Sequence, residues 1–258
     1  MRLFSTMLLC LILGCGNRSS WTPPANPDPH AILEEAEDDS RAGRHERALE
    51  KFVWYHENAL KFEPALKGVR LSFALSHWYE LGKKYPPALE AMKHARDQSA
   101  AAVRSGGDVR SAFNDMAAIN RTLGEESLTR ATFEALDRDD PPAAKAVFNL
   151  AQPALIRGRA YALAGKYVDP PRDLARMIER YREAKRTVAD SGAGADHADF
   201  AERYFTNSAA TLVAVLAVNA RNKEAEGIAA AATKEWEDPV FRESLESALR
   251  GVVPEPWP

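Results

Sequence analysis

Apolar positions recur along most of this chain at three- and four-residue steps, the spacing that stacks side chains on one face of a helix. The clearest stretch is 71–97, LSFALSHWYELGKKYPPALEAMKHARD. There Leu75, Trp78, Tyr79 and Leu81 share one side of a first helix, and Ala88, Met92 and Ala95 one side of a second. The pattern predicts a helical hairpin. Small Ala88 admits a close approach of the two helices, and bulky Trp78, Tyr79, Tyr85 and Met92 fill the space beside it.

The same landmarks recur elsewhere. Gly43, His45, Ala48, Phe52 and Tyr55 stand 40 positions before Lys83, Tyr85, Ala88, Met92 and Ala95, marking a first copy over 30–62. A third copy over 111–136 has Met116 and Asn120 in its first helix and Gly124, Thr129, Phe133 and Leu136 around its second. A fourth places Gly158, Tyr161 and Tyr167 in its first helix, LIRGRAYALAGKY, and continues after Asp169-Pro170-Pro171 with LARMIERYREAKRTV. A fifth pairs 200–220 with 223–236, with Ala225, Ala229 and Ala232 as its small-residue face.

Pro64, Ser105-Gly106-Gly107, Pro141-Pro142, 191–194 and Pro239 separate the periodic segments, and Asp108, Asp173 and Asp196 stand where helices start. No stretch alternates with period two, so the fold is expected to be all-α. Residues 209–220, AATLVAVLAVNA, are apolar all round yet too short to span a bilayer, which predicts a helix buried between neighbours. A last helix over 239–249 is expected to cap the stack.

The landmarks in 71–97 resemble the tetratricopeptide repeat (TPR), whose pattern runs from an aromatic and a Leu-Gly step to a Tyr, then to an Ala, an aromatic and another Ala. The resemblance implies a solenoid of about five helical hairpins over 30–250, with a concave face lined by the first helix of each pair. Positions implied to point into that groove are Arg70, Phe73, His77 and Glu80 in copy two. Copy three supplies Asn114 and Arg121, and copy four Gln152 and Arg159. Trp54 and Trp78 read as core.

The N-terminus adds a second resemblance. Arg2 precedes an apolar run over 3–13 that ends in Leu13-Gly14-Cys15, similar to the bacterial lipobox. It implies a signal peptide over 1–14 and lipidation of Cys15, with residues 15–29, carrying Pro23, Pro24, Pro27 and Pro29, as a polar tether roughly 20 to 50 Å long. Gly16 rather than Asp after Cys15 favours the outer membrane, facing the periplasm. Residues 251–258, with Pro254, Pro256 and Pro258, read as an irregular tail.

Of 258 residues 45% are hydrophobic and 28% charged, with a formal charge of −3, so disorder is excluded for the bulk and no basic footprint suggests nucleic acid. Chemistry is hard to find. His45-Glu46 and His56-Glu57 each begin a zinc-protease motif, but Leu49 and Leu60 stand where the second His belongs. Pro141 and Pro142 spoil the calcium-loop start at Asp137-Arg138-Asp139-Asp140. There is no nucleophile elbow, no phosphate loop and no Cys beyond Cys10 and Cys15. The expectation is a protein without catalytic residues, metal or cofactor: a lipid-anchored envelope scaffold whose concave surface binds another protein or peptide segment. The alternative is a small-molecule or glycan-binding envelope lipoprotein.

Overall fold

The computed structural model describes residues 20–191 and 195–257. The expected signal peptide, Cys15 and Gly16 lie outside the described residues, as does the side chain of Asp196. Thirteen α-helices and no strand occur among the described residues, as the absence of two-residue alternation required. They are α1 (Pro29–Arg41), α2 (His45–Phe62), α3 (Lys67–Arg70), α4 (Phe73–Lys84), α5 (Pro86–Ser105), α6 (Val109–Leu123) and α7 (Glu126–Asp139). There follow α8 (Pro141–Arg157), α9 (Tyr161–Tyr167), α10 (Pro170–Ser191), α11 (Ala195–Val218), α12 (Asn222–Glu235) and α13 (Pro239–Leu249).

Two kinds of turn recur between them. In the first, a residue with left-handed backbone closes the helix: Gly43 (φ 77°), Gly124 (φ 71°), Arg159 (φ 54°) and Ala220 (φ 59°). Each is followed by a residue whose N–H reaches back five positions, Arg44 to Asp39, Glu125 to Asn120, Ala160 to Leu155 and Arg221 to Leu216, at 2.7–2.9 Å. This bond satisfies a helix-end carbonyl that would otherwise be orphaned. Five residues after each left-handed position comes a small buried side chain, Ala48, Thr129, Ala164 or Ala225, where the returning helix meets its partner. The second kind is an extended residue ahead of a proline, Glu63 before Pro64, Tyr85 before Pro86 and Asp238 before Pro239, because proline excludes the helical conformation from the residue preceding it.

Copies one to three place their helices where the pattern predicted. Copy four is corrected. Residues 158–160 are a turn, so Tyr161 and Tyr167 belong to the second, short helix α9, while the first helix is α8. The long α10, expected to complete that copy, instead packs on α11 and α12. The missed signal was Arg159, a bulky residue in the conformation that Gly43 and Gly124 adopt without cost.

By its contacts the chain forms two compact units, up to Ala91 and from Met92 onward. In the first, α1 and α2 close on each other around Ile32, Ala36, Ala48 and Phe52. The α4–α5 junction is as tight as Ala88 suggested: the Trp78 indole N–H donates to the Ala88 carbonyl at 2.9 Å. A Cβ on Gly82 would lie 3.2 Å from that of Leu89. In the second unit α11 is the spine. Residues 209–216 are all buried against α9, α10, α12 and α13, as their unbroken apolar run predicted. No helix among the described residues is long and apolar enough to cross a membrane.

The described segments nearest the two chain ends are both held against the fold. Trp21, assigned to the free tether, donates its backbone N–H to Glu50 at 2.7 Å and sets its ring edge-on to Trp54, centroids 6.2 Å apart. The C-terminal tail is irregular but held. Trp257 N–H donates to the Asn207 side-chain carbonyl at 2.9 Å, and the Asn207 amide donates to the Glu255 carbonyl at 2.8 Å. Asp108, Asp140 and Asp238 cap α6, α8 and α13, whereas Asp173 lies inside the first turn of α10 and accepts from the Asp169 N–H at 2.9 Å.

Candidate functional site

A cleft of the second unit opens along the second half of α5, α6 and α7, with a volume of about 710 Å³. Helical spacing builds it. On α7, Leu128, Ala131, Thr132, Ala135, Leu136 and Asp139 follow at three- and four-residue steps and form one stripe. Ala100 and Val103 of α5 face that stripe, and Met116 and Asn120 of α6 form the floor. Ala131 and Ala135 are the physical reason for the opening, since methyl side chains leave the space that a Leu would fill.

The polar groups are few and placed at the edges. Arg96 is pinned between Asp97, at 2.8 Å, and Glu125, and thereby marks one end. Because α5 and α7 run in the same direction, Arg104 lines the other end with Asp139 and Asp140. The floor holds one anomaly. Asn120 is fully buried and its amide donates to the Thr129 hydroxyl at 3.0 Å, but its side-chain carbonyl has no partner. A buried amide oxygen without a donor costs about 1–3 kcal/mol, which a ligand N–H or O–H reaching it would recover.

The groove residues anticipated from the repeat resemblance scatter in character. Arg70 is not at an exposed groove position: it lies in α3, buried, and its Nε donates to the His56 carbonyl at 2.6 Å. Phe73 is 69% exposed. His77 is half-buried with Nδ1 2.9 Å from Glu37, and Glu80 is exposed beside Lys83. In the second unit Asn114 is half-buried on α6, and Arg121 is exposed in the last turn of that helix. Arg159 is exposed but sits in the α8–α9 turn, not on a helix.

Gln152 joins a smaller recess of about 130 Å³ with Asn149, Asp173, Arg176, Arg180 and Tyr204. The arginines there are engaged: Arg176 with Asp173, and Arg180 with the Tyr204 hydroxyl at 3.0 Å.

None of the eight anticipated residues lines the larger cleft, whose walls are mainly second helices of their pairs rather than first ones. Its trace in the sequence was the small-residue stripe Ala131-Thr132 and Ala135, together with a polar Asn120 on the apolar face of α6. Among the described residues no three His, Cys, Asp or Glu side chains gather as a metal-ligand group. The titrating groups with displaced values are explained by structure. Burial pushes the Tyr181 phenol up, and the Lys166 ammonium and Tyr167 hydroxyl hold the Asp137 carboxyl down. No family model, no curated protein and no solved structure matches the chain.

Proposed function

We propose that this chain is a lipid-anchored, TPR-like helical-repeat scaffold of the bacterial envelope, held through Cys15 in the outer membrane and binding a segment of another protein. The observation that carries the binding reading is the α5–α6–α7 cleft with its apolar walls, charged ends and unpartnered Asn120 carbonyl. A peptide fits that chemistry. Its side chains cover Leu128 and Ala131, its backbone N–H reaches Asn120, and its charged groups meet the polar ends. The binding surface is thereby moved from the eight residues anticipated on first helices to the second-helix side. Arg121 and Arg159 remain exposed positions that a longer segment would cross.

A photo-crosslinking residue placed at Leu128 in the native envelope tests this. Crosslinks mapping to one segment of one protein, and lost when Ala131→Trp fills the cleft, are the expected result. Crosslinks at Leu128 that survive Ala131→Trp would remove the cleft from the account. The volume also lies within the range of small-molecule sites. Native mass spectrometry showing a bound small molecule or glycan, displaced by Ala131→Trp, would replace the peptide reading with the binding-protein alternative.

A further inference from the structure

We propose that the α1–α2 turn end of the first unit is a membrane-apposed surface, resting on phospholipid headgroups. The inference rests on lipidation of Cys15 and deepens that reading by fixing which face of the unit meets the bilayer.

The carrying observation is the docking of Trp21. Its backbone N–H bond to Glu50 and its ring contact with Trp54 fasten it to the middle of α2. It also lies over the buried Lys51 ammonium, 5.9 Å from ring centroid to Nζ. Ser20, one residue nearer the N-terminus, sits in a recess with Gly43, Arg44, His45, Arg47, Glu50 and Tyr85, the surroundings of the α1–α2 turn. From Trp21 the chain then runs to the start of α1, where Asp28 accepts from the His30 N–H and His30 pairs with Glu63 at the far end of α2. The chain therefore leaves the folded unit at the turn end. Five residues separate Ser20 from Cys15, a span of at most about 18 Å even when fully extended. Without the Trp21 contacts, the leash back to Asp28 would be thirteen residues and up to about 47 Å.

A leash of five residues does not let the opposite end of hairpin α1–α2 face the bilayer while the acyl chains stay inserted. From His45 to Lys61 the helix rises about 24 Å, more than the leash can offset. The surface so placed is compatible with headgroups. Arg41, Arg44 and Arg47 pair with Asp38 or Asp39 yet are each more than half exposed there, and the further donors of their planar forks suit phosphate oxygens. Glu46 and Glu50 border the same recess, so the leash rather than net charge sets the orientation.

The test uses the full-length lipidated protein in vesicles of phosphatidylethanolamine and phosphatidylglycerol that carry a headgroup quencher. The sequence has no cysteine beyond Cys10 and Cys15, so a dye can be attached at Ala42→Cys beside the turn or at Lys61→Cys at the other end. Acyl labelling of Cys15 is measured on the same samples. The expected result is labelled protein with quenching several-fold stronger at position 42 than at 61, a difference that shrinks in Trp21→Ala and returns in Trp21→Phe. Labelled protein with equal quenching at both positions, or a difference that Trp21→Ala leaves intact, overturns the latch. Protein without an acyl label overturns the anchor reading beneath it.

Discussion

Hairpin α1–α2 and the bundle around α11 both pack helices through apolar side chains, yet the hairpin adds a chemistry of its own. At the centre of the bundle Phe205 is fully buried, stacked on Tyr181 at 5.1 Å and tilted against Phe241 at 5.8 Å, with Ala209, Ala210 and Leu212 beside it. The hairpin buries a charge network beside its apolar Ile32, Ala36, Ala48 and Phe52. Lys51 is 2% exposed, with Nζ 2.8 Å from Asp39 and 2.7 Å from Glu35, while Arg44 and Arg47 approach Asp39 from the turn. Apolar packing tolerates local repacking, but a buried ion holds one arrangement, because removing a partner leaves a charge that water no longer solvates. The network thus specifies how the turn that carries the chain's N-terminal segment is built, and Trp21 closes over it.

Truncation should separate the two regions most strongly. Phe205→Ala is expected to cost about 3–5 kcal/mol, the range for deleting a fully buried aromatic side chain. Hydrogen exchange should place the loss in the second unit. Equal loss of protection in α1 and α2 would mean that the two units unfold together. Lys51→Ala should cost about 2–4 kcal/mol in the first unit, below the upper range for breaking a buried pair because Arg44 and Arg47 still face Asp39. Adding Asp39→Leu should recover part of that loss.

Acid should act through the same network. Burial raises the Asp39 carboxyl, but hydrogen bonds to Lys51 and Arg44 outweigh it and hold the group below its ordinary 3.8. A carboxyl whose folded-state value lies lower contributes its full stabilisation above the unfolded value and loses it as pH falls through the folded one. Amides of α1 and α2 should therefore lose protection below about pH 4, with a shallower loss in Asp39→Asn. An unchanged acid profile in that variant would assign the effect to other carboxylates.

Smaller changes sharpen the comparison at the turns. A Cβ on Gly165 would collide with the Asn219 amide nitrogen. That nitrogen donates to the Tyr161 and Val215 carbonyls at 2.9 and 2.7 Å, so it cannot simply swing away. Gly165→Ala should cost about 1–3 kcal/mol by overpacking, read as a lower denaturation midpoint. Arg159→Gly and Ala220→Gly should each raise stability by about 0.5–1 kcal/mol, since glycine removes the left-handed strain and gives back part of the gain as chain entropy. A fall in midpoint would show that the Arg159 or Ala220 side chain contributes more than its backbone costs.

Much of this molecule follows from local rules that act within a helical turn or two. Amphipathic spacing set the helices, Pro64, Pro86 and Pro141 set breaks that need no tertiary context, and the apolar run of 209–216 had nowhere to go but inside. Gly43 and Gly124 announced their turns because glycine alone reaches the left-handed region without strain. What depends on distant partners was decided by the tertiary structure. Arg159 and Ala220 take the same turn because the packing around Ala164 and Ala225 over-determines it, against their own preference. Arg70, a groove residue by the repeat resemblance, is drawn inward by the His56 carbonyl, which lies fourteen positions away. The α5–α7 cleft exists because Ala131 and Ala135 face neighbours that do not fill the space they leave, and the docked Trp21 because Trp54 and Glu50 meet it across the chain. Neighbours along the chain fix backbone conformation, whereas a cavity or a latch is a relation between surfaces, and only the packed chain supplies both sides.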